Sequence, residues 1–245
     1  MPRDVCVFKR VEKKYRISAG EKAALLAAVG DQLIPDSHGK STICSLYLDT
    51  PEHLLIRNSI DAVAYKEKLR LRSYGTPEIN SRVFLEIKKK YMGVVYKRRV
   101  AMTLGEAQKY LDWRIAPLKS QIMAEIDYAM DFYGGPRPAM LVAYEREAYY
   151  VKGHPNVRVT FDSAVRYRQD RLLLDLGSDG KQILPDGQYL LEIKTDGTMP
   201  LWLAHTLSCI EILPASFSKY GTAYLDTLKK TEKDQKGENH HACNF

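Results

Sequence analysis

The sequence predicts an α+β fold in which helices pack on the outside of an antiparallel sheet of about eight strands. The predicted strands alternate polar and apolar residues, and most are joined by short connections. Segments with helix-capping signals lie between some of them. The predicted strands cover residues 7–17, 41–50, 64–75, 81–91, 94–102, 139–151, 157–168 and 189–195.

Capping signals mark two of the predicted helices. Ser18 with Glu21, and Thr103 with Glu106, have the spacing of a capping box, in which each side chain accepts a hydrogen bond from the other residue's backbone N–H. Residues 231–245 are polar and lack any period, so we expect a single domain over residues 1–230 followed by a disordered polar tail. The expected helices cover residues 18–30, 103–115, 118–133, 201–213 and 220–229.

The chain of 245 residues has a formal net charge of +7, which predicts an anionic partner rather than a particular fold. No apolar run approaches the roughly 18 residues of a membrane span, and the first residues lack the apolar core of a signal peptide. We therefore expect a cytoplasmic protein, which a membrane-protein partner could still hold at a membrane. The four cysteines have no CxxC spacing and predict neither a zinc site nor a disulfide framework.

The stretch KEKLRLRSYG, residues 66–75, places cations at every second position of a predicted strand. Its lysines and arginines would share one face of the sheet, and Leu69 and Leu71 would lie on the other. The charged face holds Lys66, Lys68, Arg70 and Arg72 here, and in other strands Glu12 and Lys14, Glu86 and Lys88, Lys97 and Arg99, Arg158 and Asp162, and Glu192 and Lys194.

Such a charged face has two interpretations. Antiparallel sheets commonly expose one face to water, and charges belong there. Here the face is dense in Lys and Arg, and like charges opposite each other destabilise a sheet. Carboxylates on the same face are of the kind that holds Mg²⁺ or Mn²⁺ together with substrate phosphates. Because about eight strands can close a barrel, we favour a barrel with the charged face inside and the apolar face under the helices.

The order and spacing of several motifs resemble a known family. The motifs are RVEKKY, SLYLDTP, KLRLRSYG, VFLEIKKK, VVYKRR, YEREAYY, VRVTFD, YLLEIK and ASFSKYGTAY. Together they are similar to the VTC domain, the polyphosphate polymerase branch of the triphosphate tunnel metalloenzymes, over residues 8–228. The resemblance implies an eight-stranded antiparallel β-barrel that forms a triphosphate tunnel lined by basic residues.

The resemblance also implies roles for residues within these motifs. Glu192 of LEIK would hold the metal, Mn²⁺ or Mg²⁺, and Glu12 and Glu86 on the charged face are further candidate ligands. The residues expected to act on the reacting phosphates are Lys14, Arg70, Arg72, Lys88, Arg146 and Lys219. The residues expected to bind the rest of the substrate are Lys68, Lys97, Arg99, Arg158 and Lys194.

One departure from the wider superfamily favours a branch. The superfamily begins with an ExExK motif, whereas the frame here reads Arg10-x-Glu12-x-Lys14. The missing first glutamate favours the polymerase branch. It argues against the adenylate cyclase, thiamine triphosphatase and RNA triphosphatase branches, for which the resemblance implies more acidic, two-metal sites.

The implied reaction transfers the γ-phosphoryl group of ATP to a growing chain of inorganic polyphosphate or to pyrophosphate. A hydrolase that cleaves tripolyphosphate or a nucleoside triphosphate would use the same residues, and the sequence leaves that alternative open. A non-catalytic polyanion-binding module is less favoured, because the predicted strands carry mostly aliphatic residues between the charges and Glu192 would oppose phosphate binding without a metal. We therefore expect no nucleic acid polymer as a partner.

Overall fold

The computed structural model describes residues 11–92 and 94–241, which form nine strands and six α-helices. The strands are β1 (Val11–Ser18), β2 (Leu33–Asp49), β3 (Tyr65–Tyr74), β4 (Arg82–Tyr91), β5 (Val94–Thr103), β6 (Arg137–Val151), β7 (His154–Arg168), β8 (Lys181–Gln182) and β9 (Gln188–Thr195). The helices are α1 (Ala19–Val29), α2 (Leu54–Ile60), α3 (Leu104–Trp113), α4 (Gln121–Phe132), α5 (Leu201–Cys209) and α6 (Lys219–His241). The first residues of the predicted first strand, 7–10, lie outside the described residues.

The strands form one antiparallel sheet in the order β1-β9-β7-β6-β2-β3-β4-β5, with the short β8 paired to β7. This confirms the α+β class. The predicted barrel is not closed, because β1 and β5, the strands at the two ends of the sheet, do not pair with each other. The free edge of β1 is bonded instead to the segment before α6, where the N–H of Ala215 donates to the carbonyl of Lys14 at 2.7 Å. The sheet still curls, since Nζ of Lys88 on β4 lies 3.5 Å from Oε2 of Glu12 on β1.

Helices cover the apolar face of the sheet, as the sequence predicts. Helices α3 and α4 pack on β2 to β6 in a cluster that includes Leu71 and Tyr110. Helices α1 and α5 pack on β1, β7 and β9 in a second cluster that includes Phe161 and Leu203. Because Leu71 alternates with the arginines of β3, the charged residues point to the opposite face, which is the concave, inner one.

A third apolar cluster covers part of the inner face. Tyr47 of β2 and Tyr144 of β6 pack there with Ile56 of α2 and Tyr220 of α6. The rings of Tyr47 and Tyr220 are stacked, with centroids 4.3 Å apart and planes inclined by 18°. The start of α6 is thereby held against the sheet, so that Lys219, its first residue, meets the charged face.

The buried carboxylate of Asp49 fixes both helices of this third cluster. Asp49 ends β2, is 1% exposed, and accepts hydrogen bonds from the backbone N–H of Leu55 at 2.8 Å and of Ile56 at 3.0 Å. The hydroxyl of Tyr220 donates to the same carboxylate at 2.8 Å. The sequence analysis does not predict α2, because this helix has only seven residues and its capping carboxylate lies outside the usual capping-box spacing.

The other predicted helices are present, although α4 begins at Gln121 instead of residue 118 and α5 ends at Cys209 instead of residue 213. Both predicted capping boxes are formed, at the starts of α1 and α3. Helix α6 continues to His241, whereas the residue pattern predicts an end near Lys229, so the backbone of residues 231–241 is helical and not irregular. The last four residues of the predicted tail lie outside the described residues, and the single domain over residues 1–230 stays a prediction. None of the described helices is long and apolar enough to cross a membrane.

We expect Asp49→Ala to lower the free energy of unfolding by about 2–4 kcal/mol, because it leaves several buried donors without an acceptor. Urea denaturation followed by circular dichroism measures this change. Asp112→Ala, at an exposed position of α3, is the control and should change the free energy by no more than about 0.5 kcal/mol. Equal stability of the two variants would contradict the role given to Asp49.

Candidate active site

Two carboxylates lie side by side between cations from two strands and a helix. Nε of Arg146 donates to Asp162 at 2.6 Å, and Nη2 of Arg146 donates to Glu192 at 3.3 Å. Nζ of Lys219 lies 2.5 Å from Asp162 and donates to Glu192 at 3.1 Å. Nζ of Lys194 lies 3.1 Å from Glu192. We call these five residues the Glu192 cluster; it joins β6, β7 and β9 to the start of α6.

A second cluster surrounds Glu86 of β4, whose side chain is only 2% exposed. Arg70 lies opposite Glu86 in the β3–β4 register and donates to it from Nε at 2.8 Å. Nζ of Lys97 on β5 lies 2.5 Å from the other carboxylate oxygen. Nε of Arg72 is further away, at 3.9 Å. We call Arg70, Arg72, Glu86 and Lys97 the Glu86 cluster.

Lysines and Glu12 connect the two clusters into one strip of charge. Nζ of Lys14 lies 3.2 Å from Glu12 and 3.9 Å from Glu192. Nζ of Lys88 on β4 lies 3.5 Å from Glu12 on β1. Lys68 of β3 donates to the hydroxyl of Ser218, just before α6, at 3.1 Å. Cations from both edges of the sheet therefore face one continuous inner surface.

Burial of the lysines in this strip lowers their pKa values. Burial disfavours the charged form and lowers the pKa of Lys68 to about 8 and that of Lys97 to about 7. It also lowers the pKa values of Lys88 and Lys194. The nearby guanidinium of Arg70 lowers the pKa values of Lys68, Lys88 and Lys97 further. The lysines and arginines of the strip still outnumber its four carboxylates, Glu12, Glu86, Asp162 and Glu192, so the inner face carries an excess of cationic side chains that suits an anionic ligand.

The carboxylates of the strip stay ionised despite their burial. Burial by itself would raise the pKa of Glu12, but Lys88 and other cations hold it at about 2. In the same way, burial is outweighed for Glu86 by Arg70 and for Glu192 by the cations around it, so both pKa values lie below their ordinary range.

The structure brings nearly all the predicted site residues into this strip. Among the described residues, two exceptions form no ion pair with either cluster, although Arg99 lies opposite Glu86 in the β4–β5 register. Arg158 of β7 forms an ion pair with Asp36 in the irregular part of β2. Arg99 of β5 stacks on Phe84, with its guanidinium carbon 4.8 Å from the ring centroid. Arg10, which replaces the first glutamate of the ExExK motif, lies outside the described residues.

Two tyrosines belong to the site although the sequence analysis does not select them. Lys219 and Arg146 lie over the ring of Tyr144, at 4.6 Å and 5.1 Å from its centroid. The hydroxyl of Tyr47 accepts a hydrogen bond from Arg70 at 3.2 Å. Burial would raise the pKa of Tyr47, but the cations around it, chiefly Arg70, lower it to about 8. The signal for Tyr144 was its position two residues before Arg146 on the same strand face.

The carboxylates suit a divalent cation that takes most of its ligands from phosphates. Among the described residues, no group of three or more His, Cys, Asp or Glu side chains is placed to hold a metal. Glu192 and Asp162 lie on either side of Lys219, and Mg²⁺ typically binds one or two carboxylates with substrate phosphates and water. This donor set fits Mg²⁺ or Mn²⁺ near Glu192, although cations lie within 4 Å of Glu192 as they do of Glu86, which is also predicted as a ligand. The difference is that Arg146 and Lys219 hold a second carboxylate, Asp162, beside Glu192, whereas the cations at Glu86 contact no other carboxylate among the described residues.

A curled antiparallel sheet with helices outside and an excess of cations on its inner face is an architecture suited to binding a polyanion. The sequence profile of the VTC domain matches residues 9–227, so the chain belongs to the VTC domain family. No curated protein gives a significant match to the chain.

Solved structures are similar to the chain at low sequence identity. A putative adenylate cyclase from Bacillus halodurans aligns with a TM-score of 0.52 and 13% identity, covering 86% of this chain and 95% of that one. A putative adenylyl cyclase from Hippeastrum with a dominant triphosphatase activity aligns with a TM-score of 0.47 and 18% identity, covering 86% and 93%. At these identities the first similarity shows the fold alone.

We expect tripolyphosphate to bind about tenfold more weakly at pH 9 than at pH 7. With a pKa of about 8, Lys68 is mostly charged at pH 7 and mostly neutral at pH 9, so binding at the higher pH must include uptake of a proton. Isothermal titration calorimetry measures the affinity.

Two features make this pH test specific. The ligand only gains negative charge as the pH rises, so its own titration would strengthen binding. In Lys68→Arg the charge persists at pH 9, because arginine does not titrate in this range, and the pH dependence should be shallower. Wild-type affinity that stays constant or rises with pH would contradict the assignment.

Proposed function

We propose that the protein is a metal-dependent polyphosphate polymerase that transfers the γ-phosphoryl group of ATP to a growing polyphosphate chain. The observation that carries this proposal is the excess of cations over carboxylates along the partly buried inner face, from the Glu192 cluster to the Glu86 cluster. Polyphosphate carries negative charge along its whole length. An extended strip of cations therefore matches polyphosphate better than it matches a compact anion. Membership of the VTC domain family supports the same class of reaction.

The side chains provide what phosphoryl transfer needs, which is alignment of the reacting groups and stabilisation of charge. Arg70, Arg72 and Arg146 have planar guanidinium groups that can hold two phosphate oxygens at once. Arg146 already makes this two-pronged contact with Asp162, at 2.6 Å and 2.7 Å. Lys14 and Lys219 supply point charges beside Glu192. The acceptor is an anionic phosphate, so no residue has to act as a general base.

Glu192, with Glu12 as a further candidate ligand, would hold Mn²⁺ or Mg²⁺, and the metal would supply positive charge to offset the charge that develops during transfer. Lys219 and Lys14, 3.1 Å and 3.9 Å from Glu192, hold this carboxylate in position. A cytoplasmic location and a membrane-protein partner stay predictions of the sequence.

A hydrolase of the same fold is the alternative that the site leaves open. It would use the same arginines and lysines on the donor and differ only in its acceptor, water in place of a phosphate chain. A non-catalytic polyanion-binding module would hold the same ligands without turnover. The acceptor therefore has to be identified from the product.

We expect the purified protein, given γ-labelled ATP and Mn²⁺, to form a ladder of polyphosphate chains on a gel. Arg70→Ala should lower the rate by about 100-fold or more, because it removes a positioned charge from the reacting phosphates. Arg98→Ala is the matched control: Arg98 lies on the outer face of β5 and pairs with Glu125, so the rate should not change. Labelled free phosphate without a ladder would identify the hydrolase, and binding without turnover would identify the binding module.

We expect Glu192→Gln to raise the Mn²⁺ concentration for half-maximal activity by about tenfold or more, because loss of even an indirect ligand contact costs roughly 10–100-fold in metal proteins. Glu86→Gln is the comparison: the cations around Glu86 contact no second carboxylate among the described residues, so this change should affect the KM for ATP without changing the metal dependence. Metal titrations of both variants measure this. A larger shift in Glu86→Gln would place the metal at Glu86.

A further inference from the structure

A group of aromatic and arginine side chains extends the inner face beyond the phosphate-binding strip. Tyr74 is the last residue of β3 and is 55% exposed. Its ring meets that of Phe84 edge to face, with centroids 5.9 Å apart and planes at 89°. Phe84 lies opposite Arg72 in the β3–β4 register. The rings of Tyr74 and Phe84 therefore share the inner face with Arg70 and Arg72.

Two arginines lie over Phe84 without a carboxylate to balance them. The guanidinium carbon of Arg99 is 4.8 Å from the ring centroid and that of Arg82 is 5.4 Å from it. Among the described residues, no carboxylate oxygen lies within 4 Å of either guanidinium. Stacked arginines and accessible aromatic rings are the surfaces on which nucleobases stack, because every base has a flat π-face.

The position of this group relative to the clamps fits one extended ligand. Phe84 precedes Glu86 by two residues, which is about 7 Å along a strand, and Glu86 is bound by Arg70. Residues before and within α6 cover the inner face around Lys68, through Ser218. Tyr74 lies six positions further along β3, about 20 Å from Lys68, and remains exposed. A ligand with its phosphates at Arg70 and Arg72 can therefore place a flat group against Tyr74 and Phe84.

We propose that Tyr74, Phe84, Arg82 and Arg99 form a nucleobase-binding site for the nucleoside triphosphate whose phosphates occupy the inner face. The proposal rests on the proposed function and specifies its donor as a nucleotide. It reassigns Arg99 from the phosphate chain to the base. If Tyr74 and Phe84 only stabilised the sheet, removing Tyr74 would not weaken a nucleotide more than tripolyphosphate. The affinities of these two ligands can therefore distinguish a nucleobase site from a structural pair.

The test compares two ligands that share the phosphates and differ in the base. Calorimetry with Mg²⁺ gives the affinity of tripolyphosphate and of the β,γ-imido analogue of ATP, which resists transfer. Tyr74→Ala should weaken the analogue by about tenfold, the loss of one partly exposed stacking contact, and leave tripolyphosphate unchanged. Tyr74→Phe should keep both affinities. Arg99→Lys keeps the charge but loses the planar stack and should also weaken the analogue alone.

The outcomes separate this site from the proposed function. Tyr96→Ala, an exposed position on the outward-facing side of β5, is the control and should change neither affinity. Equal weakening of both ligands by Tyr74→Ala, or of neither, would overturn the nucleobase site while leaving phosphate binding intact. Failure of the wild-type protein to bind tripolyphosphate would overturn the proposed function and this site with it.

Discussion

The incomplete neutralisation of buried charge on the inner face is the constraint on which the rest of the structure depends. Ions buried without partners are costly, and the cross-strand pairs of Arg70 with Glu86 and of Arg146 with Asp162 reduce that cost. These pairs also bring neighbouring strands into register. The carboxylates do not balance all the cations, and Lys68 and Lys97 keep lowered pKa values. A bound polyanion would supply the missing charge, so the ligand belongs to the electrostatic balance of the fold.

The start of α6 links the fold to the chemistry. It carries Lys219 into the Glu192 cluster, and Tyr220, the next residue, is fixed by a stack on Tyr47 and a hydrogen bond to Asp49. Asp49 also holds the first turn of α2. The reactive end of the C-terminal helix is thus positioned by residues of β2, far away in sequence. A change that loosens the contacts of Tyr220 with Tyr47 and Asp49 would therefore displace Lys219 while leaving the strand pairing in place.

The inner face has a direction. Around Lys68 it is covered by the segment that leads into α6, and beyond Arg72 it ends in exposed aromatic and arginine side chains. The charged strip lies between these two regions. This polarity suits a donor that is flat and aromatic at one end and anionic along the rest, and it orients the reacting phosphates toward Lys14, Lys88 and the Glu192 cluster.

Local residue patterns predict eight of the nine strands, but neither β8 nor the first half of β2. They also predict the face on which charges lie and nearly all residues of the charged strip, because alternation along a strand is a local property that survives any packing. The motifs identified the family for the same reason, since their order lies in the chain. Only the tertiary structure decided which carboxylate meets which cation, that Glu86 is enclosed by Arg70 and Lys97 while Asp162 joins Glu192, and that the sheet stays open. These depend on strand order and on where α6 docks, and no local pattern encodes contacts between residues so distant in sequence.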